Sequence, residues 1–322
     1  MSQSLAVGVV QGGPSSEAEV SRRSARAVTE ALRAAGHRPV LFELDRFLAE
    51  SLRGCDVVFP VVHGAVGEDG SLQGVLEWLE LPYVGSAVLA SALAMDKAFA
   101  RRVFAAEGLP VAAGAAVRAG AAPEAPALLA RLGTSLVVKP CRSGSAIGVT
   151  RLTGAGTDEL VRTLEEVWQL DDVAIVEELV PGKEITCAVL DVDGAVAFPV
   201  TEIASPNDAF YTYEARYAAG RSVHTCPAHL PPEVTARVQE VAVGAHRALG
   251  CRDLSRADFV VGESGRVVLL EVNTMPGFTE TSLYPEALGV GGVAFPSLCD
   301  KLVRRAFARG ATRRNEPRAF PK

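Results

Sequence analysis

Residues 255–283 read SRADFVVGESGRVVLLEVNTMPGFTETSL, two apolar runs with polar groups at their outer ends. Gly262 and Gly265 bracket a tight turn, so the runs form antiparallel strands. Side chains alternate along a strand, which puts Asp258 on one face with Arg256 and Glu271 on one face with Asn273. If paired residues sum to 527 or 529, Glu271 stands opposite Arg256 or Asp258, and all four polar groups share a face. A carboxylate ending an apolar strand is costly unless something offsets its desolvation. Two carboxylates and an amide oxygen are the hard-oxygen set that Mg²⁺ takes together with phosphate oxygens and water. Two such ions would bridge a nucleoside triphosphate and neutralise charge as phosphoryl moves. The same residues admit a plainer reading, an ion pair of Arg256 with Asp258 or Glu271 closing a strand end. In the turn that follows, Gly277 frees a backbone N–H for close approach to a ligand.

Outward from this hairpin, the 322-residue chain is 48% hydrophobic, ample for a core divided over two or three domains. A net charge of −6 and a pI near 5.5 exclude a global basic field for nucleic acid. The basic run at 304–322 lies past the last periodic segment and reads as a solvated tail, frayed from about 310. Six cysteines without a CxxC pair indicate neither a zinc site nor a disulfide framework. The N-terminal MSQSLAVGVVQGG reads as a first strand rather than a leader, and no stretch approaches a membrane span. A cytoplasmic protein is expected. Only five of the 32 basic residues are lysines, which draws attention to Lys97 and Lys139.

Before the hairpin, strands alternate with helices over about the first 90 residues, the pattern of a parallel α/β sheet. Val20, Ala27, Val28, Ala31 and Leu32 recur at helical spacing, interrupted only by Ser24. Ser15 or Ser16 is expected to cap that helix and Gly36 to end it. LAMDKAFARRVFAAEG predicts one helix opening a second unit, and from about Gly182 long strands with hairpin turns replace the alternation. An irregular segment at 204–227 separates them from a helix over PPEVTARVQEVAVGAHRALG. Three consecutive α/β or α+β units result.

VVKPCRSGSAIGV places Lys139 at a strand end before a Gly/Ser loop whose amide groups can close over phosphates. It is neither a Walker A loop nor a GxGxxG fingerprint, and on its own it is equally a hairpin turn. IVEELVPGKEI runs a strand into Glu177 and Glu178 and on to Glu184, either an interdomain linker or a clamp for a nucleobase and its ribose.

Seven stretches in order, GGPSSEAEVS (12–21), HGAVGEDGSLQG (63–74), SALAMDK (91–97), VVKPCRSGSAIGV (137–149), FYTYEARY (210–217), SRADF (255–259) and EVNTMPGFTETSLYP (271–285), resemble the D-alanine–D-alanine ligase family of the ATP-grasp superfamily. The resemblance implies a three-domain ATP-grasp fold. Its parts would be an N-terminal parallel α/β domain (1–93) on the first-substrate side, a central subdomain (94–183) and a C-terminal subdomain (184–322) with a mobile loop at about 204–227. It also implies the chemistry: ATP phosphorylates the carboxylate of one D-alanine, and the amine of a second attacks the acyl phosphate to give a dipeptide for peptidoglycan synthesis.

By the same resemblance, Asp258, Glu271 and Asn273 match ligands of two Mg²⁺ ions, with Mn²⁺ as a substitute, and Lys97 and Lys139 match phosphate-binding lysines. Glu177, Glu178, Leu179 and Val180 fall on the adenine strand, and Glu184 on the ribose carboxylate. Glu17 and His63 match the first-substrate site, Ser282 and Leu283 the receptor of the second substrate's carboxylate. Ser145 and Tyr217 match a pair that bonds towards Glu17 on loop closure, and Arg256 with the Gly277 N–H matches the oxyanion donors. Arg216 stands where the family usually has a lysine at the transferring phosphate. Ala18 replaces a common basic or imidazole residue, and Ala146 the second serine of the loop. The expected partners are D-alanine and ATP, with no nucleic acid or membrane, and the family resemblance implies a homodimer. Two other functions remain open on the sequence: the same chemistry with D-serine, D-lactate or a secondary-metabolite amine, and a non-catalytic nucleotide-binding ATP-grasp protein.

Overall fold

The computed structural model describes residues 3–120, 124–204 and 223–311. Its first sheet is parallel, with β1 (Ala6–Gln11) between β2 (Arg38–Glu43) and β3 (Val57–Pro60). Helix α1 (Ala18–Ala34) lays Ala25, Val28 and Leu32 on this sheet, with α2 (Leu48–Ser51) and α3 (Ser71–Trp78) completing the unit. Neither Ser15 nor Ser16 caps this helix: Glu17 is the N-cap residue, without a side-chain cap bond. Ser15 Oγ instead accepts from Glu17 N–H and donates to the His63 carbonyl, which ties the helix start to the end of β3. Ser24 sits on the buried face because its Oγ accepts from Phe278 N–H, so the interruption in the apolar pattern is a tether to a distant loop.

The predicted helix over LAMDKAFARRVFAAEG is two helices, α4 (Val88–Met95) and α5 (Lys97–Ala106). Asp96 adopts extended backbone between them and caps α5 by accepting from Phe99 N–H. Lys97 thereby becomes the first residue of a helix.

The second sheet orders β4 (Gly114–Arg118), β7 (Val173–Glu178), β5 (Leu136–Pro140) and β6 (Thr150–Leu152), all antiparallel neighbours. Helices α6 (Ala125–Leu132) and α7 (Thr157–Val167) cover it. Strand β4 was not legible in the sequence.

In the third sheet β8 (Lys183–Asp191) has β9 (Ala195–Ala197), β10 (Thr201–Ala204) and β12 (Asp253–Val261) as partners, and β12 continues to β13 (Val267–Asn273). Strand β11 (Val223–Thr225) pairs with β10, so the ends of the segment predicted as irregular are a strand pair. Helix α8 (Pro232–Ala248) buries Val238, Val241 and Ala245 on this sheet, and α5 adds Ala100 and Phe104 to the same core.

The remaining helices are α9 (Leu283–Val290) and α10 (Phe295–Arg309). Helix α10 returns to the first unit, packing Leu298, Leu302, Val303 and Ala306 with α1 and β3. Asp253, almost wholly buried with φ +65°, accepts from Arg309 Nη1 and Nη2 at 2.6 and 2.8 Å and from the Gly85 N–H at 2.8 Å. That knot locks the end of α10, the start of β12 and the first unit together.

Candidate functional site

At its turn the hairpin pairs Val261 with Val267 and Val260 with Val268, a register that would carried on put Glu271 opposite Ala257. Ala257 faces the core beneath α8, where a carboxylate would lie among valines. A β-bulge at the Asp258/Phe259 step, with Leu270 as the additional residue on β13, changes the register so that Asp258 pairs with Glu271 and Arg256 with Asn273. The parity change is visible in the core, which takes Val267 and Leu269 from β13 and then Val272. Of the two anticipated registers, the sum of 529 is the one formed at the polar end.

Arg256 clamps Asp258 with Nε and Nη2 at 2.8 and 2.7 Å, and Thr186 on β8 donates to the same carboxylate at 2.7 Å. The plain ion-pair reading of the hairpin is therefore present too. Glu271 accepts Lys97 Nζ at 3.2 Å, and Asn273 Oδ1 accepts Met275 N–H at 2.9 Å, starting the turn to Gly277. Phe278 anchors that turn in the core, edge-on to Phe59 and Tyr284. Among the described residues no three His, Cys, Asp or Glu side chains form a metal-binding group. A divalent ion at the hairpin would have Asp258, Glu271 and Asn273 from the protein and take its other oxygens from ligand or water. That incomplete hard-oxygen set fits Mg²⁺ rather than a closed structural metal site.

Two cavities of about 120 Å³ meet here, and Glu271 lines both. The first has apolar walls from Val137, Ile147, Val149, Leu179, Val260, Val268 and Leu270, with Lys97 and Lys139 among its polar groups. Glu177, Glu178, Val180 and Glu184 line it as well. Their carboxylates are engaged: Glu177 with Lys139 and Arg101, Glu178 with Arg266 at 2.6 Å, and Glu184 with Arg151 at 2.8 Å. Lys97 Nζ also donates to the Ser143 carbonyl at 2.7 Å, fixing the start of the Gly/Ser loop. In that loop Ser145 and Ala146 both lie in the left-handed region, at φ 52° and 56°. Holding two consecutive non-glycine residues there costs about 1–2 kcal/mol each.

Ser145 Oγ donates to Glu17 Oε1 at 2.5 Å, closing the loop onto the second cavity. This one is polar, lined by Glu17, His63, Glu68, Ser145, Arg256, Asn273, Gly277, Ser282 and Leu283 among others. Ser282 is the N-cap residue of α9, and its Oγ accepts from Thr279 N–H. His63 is buried, and desolvation lowers the pKa of its imidazole, outweighing the nearby Glu17 charge and a hydrogen bond to the Met275 backbone. Its Nε2 is buried without a partner, an orphan that a ligand in this cavity would satisfy.

Glu68 is a site residue that sequence reading did not single out, although its stretch was. The loop carrying it turns tightly: Val66 has φ 70°, unusual for a β-branched residue, and a Cβ on Gly67 would lie 2.4 Å from the Val62 carbonyl oxygen. The turn returns the Glu68 carboxylate to the Gly64 N–H at 2.5 Å. Burial, with the Glu17 charge adding, pushes this carboxyl up to about 8. Arg101 was missed for a different reason, since its only sequence signal is helical spacing from Lys97. Arg216 and Tyr217 lie outside the described residues.

Two family models match, D-ala D-ala ligase N-terminus over residues 46–86 and D-ala D-ala ligase C-terminus over 103–304. The D-alanine–D-alanine ligase of Acidiphilium cryptum is 46% identical over 308 residues, covering 94% of this chain and 99% of that protein. The ligase of Gluconobacter oxydans is 43% identical, covering 95% and 100%. Among solved structures, the D-alanine–D-alanine ligase from Coxiella burnetii superposes with a TM-score of 0.83 at 30% identity, covering 96% of this chain and 95% of that one. The Bacillus anthracis enzyme complexed with ATP gives 0.82 at 29%, covering 95% and 98%. With full-length relatives in sequence and the same fold in structure, the chain belongs to the D-alanine–D-alanine ligase family.

Proposed function

We propose that the protein joins two D-alanines at the expense of ATP, through an acyl phosphate. The observation that carries this reading is the position of Glu271, paired with Asp258 at the junction of an apolar, lysine-bearing cavity and a polar, arginine-bearing one. Adenosine takes the apolar cavity, with Glu184 at the ribose, and Lys97 and Lys139 bind the phosphates. Asp258, Glu271 and Asn273 would hold two Mg²⁺ ions, which would supply positive charge to offset that of the phosphates.

The first D-alanine occupies the polar cavity, its ammonium received by Glu17 and the unpartnered His63 Nε2. Its carboxylate takes the γ-phosphoryl group, releasing ADP. A bound carboxylate is a poor electrophile, and phosphorylation supplies the leaving group. The second D-alanine sets its carboxylate at Ser282 and Leu283, at the N-terminus of α9, where free backbone N–H groups favour an anion. Its deprotonated amine attacks the acyl carbon, and the tetrahedral oxyanion is held by Arg256 and the Gly277 N–H until phosphate leaves. The reading takes the chain as a cytoplasmic homodimer, which sedimentation velocity tests.

ADP release is to be measured with Mg²⁺ and D-alanine, D-serine, D-lactate or the L-amino acids. Turnover with D-alanine alone supports the dipeptide ligase. Preference for a mixed pair moves the reading to a different second substrate, and nucleotide binding without turnover on any acid refutes it.

A further inference from the structure

Lys139 does not reach its cavity unaccompanied. Its ammonium bonds Glu177 Oε2 at 2.7 Å, and Arg101 Nη1 bonds Glu177 Oε1 at 2.7 Å, so one buried carboxylate stands between two cations. Arg101 is held from the other side as well, Nη2 donating to the Ala112 carbonyl at 2.7 Å. It lies one helical turn after Lys97 on α5, so one helix carries a cavity lysine and the support of the other. The neighbouring strand is built around it: Gly114 on β4 pairs with Glu177, and a Cβ at 114 would lie 2.6 Å from Arg101 Nη1.

We infer that Arg101 is a positioning residue for nucleotide phosphate, acting through Glu177 to aim Lys139 and to keep its positive charge available. This rests on reading the apolar cavity as the nucleotide site. Without Arg101, Glu177 would face Lys139 alone, and the carboxylate would neutralise the ammonium that phosphate needs. With Arg101 present the row carries one net positive charge, and the carboxylate is divided between two partners. The side chain touches no substrate, so its effect falls on affinity for the phosphate-bearing ligand alone.

The test uses the full chain with Arg101→Met, which keeps volume and removes charge, and Arg101→Lys, which restores charge. Dissociation constants for ADP with Mg²⁺ and for adenosine, which has no phosphates, are measured by calorimetry, with steady-state kinetics alongside. Losing a charge-assisted support of this kind is worth about tenfold or more. For Arg101→Met the ADP constant and the KM for ATP rise by about that factor, while adenosine affinity and the KM for D-alanine hold. Arg101→Lys recovers most of the loss. Equal weakening of ADP and adenosine, or no weakening of ADP, overturns the inference while the nucleotide reading stands. A wild-type chain that binds neither overturns both. If Arg101→Met does not fold, Arg101→Gln gives a second route: it should weaken ADP binding in the wild-type background and not in a Glu177→Gln background, and equal weakening in both overturns the inference.

Discussion

One methyl group at Gly277 should uncouple the two cavities. The φ of Gly277 is not positive, so Gly277→Ala acts through contact rather than backbone strain. Its Cβ would lie 2.8 Å from Ser282 Oγ but 3.6 Å from Ser282 Cβ, so the hydroxyl must rotate away. That hydroxyl accepts Thr279 N–H at 2.9 Å and shares a hydrogen bond with Thr279 Oγ1 at 2.8 Å. Two such bonds contribute about 1 kcal/mol each, so the second-substrate receptor loses about 2 kcal/mol, or about 30-fold in the KM for the more weakly bound D-alanine. Gly277 and Ser282 line only the polar cavity, so ATP affinity should not move. A double-mutant cycle identifies the contact. In a Ser282→Ala background the obstructing atom is gone, and Gly277→Ala should add less than about 0.5 kcal/mol. If the two losses simply add, or ATP affinity falls in parallel, the reasoning is wrong.

Three further outcomes follow from the same geometry. Arg256→Ala should lower turnover by about 100-fold or more with ATP affinity nearly constant, as loss of an oxyanion donor does, and equal loss of both would remove that role. Glu68 has its folded-state carboxyl raised from 4.5 to about 8, so its contribution to stability is full below about 4.5 and is lost as pH rises through about 8. Thermal melts of metal- and nucleotide-free protein should show Glu68→Gln gaining on wild type across that window; parallel curves would contradict it. Arg309→Ala leaves the buried Asp253 carboxylate without its bidentate partner and should cost about 3 kcal/mol in denaturant unfolding, partly recovered by adding Asp253→Asn.

The alternation of polar and apolar residues in 255–283 disclosed that Arg256 shares a face with Asp258 and Glu271 one with Asn273, and that an odd pairing sum would join the two sets. How they come together was hidden. The turn sets one register and the bulge another, and an additional Leu270 in a run of leucines and valines carries no local signal. Asp96 looked like one residue of a long helix because its neighbours keep helical spacing; only the capping bond to Phe99 shows the break. Ser24 read as a flaw in an apolar stripe, since its partner Phe278 is 254 residues away. Glu177 was placed on the adenine strand by family resemblance and not read as a support for Lys139, because its link to Arg101 joins a helix and a strand far apart in sequence. Local periodicity reports faces, whereas these contacts depend on how separate units pack.

The most direct measurement follows an oxygen atom. D-alanine labelled with ¹⁸O in its carboxylate is turned over with Mg²⁺ and ATP, and the products are weighed by mass spectrometry. Phosphorylation of the carboxylate predicts one ¹⁸O in the inorganic phosphate for each dipeptide formed, with ADP as the nucleotide product. Unlabelled phosphate, or AMP in place of ADP, would contradict the acyl-phosphate account.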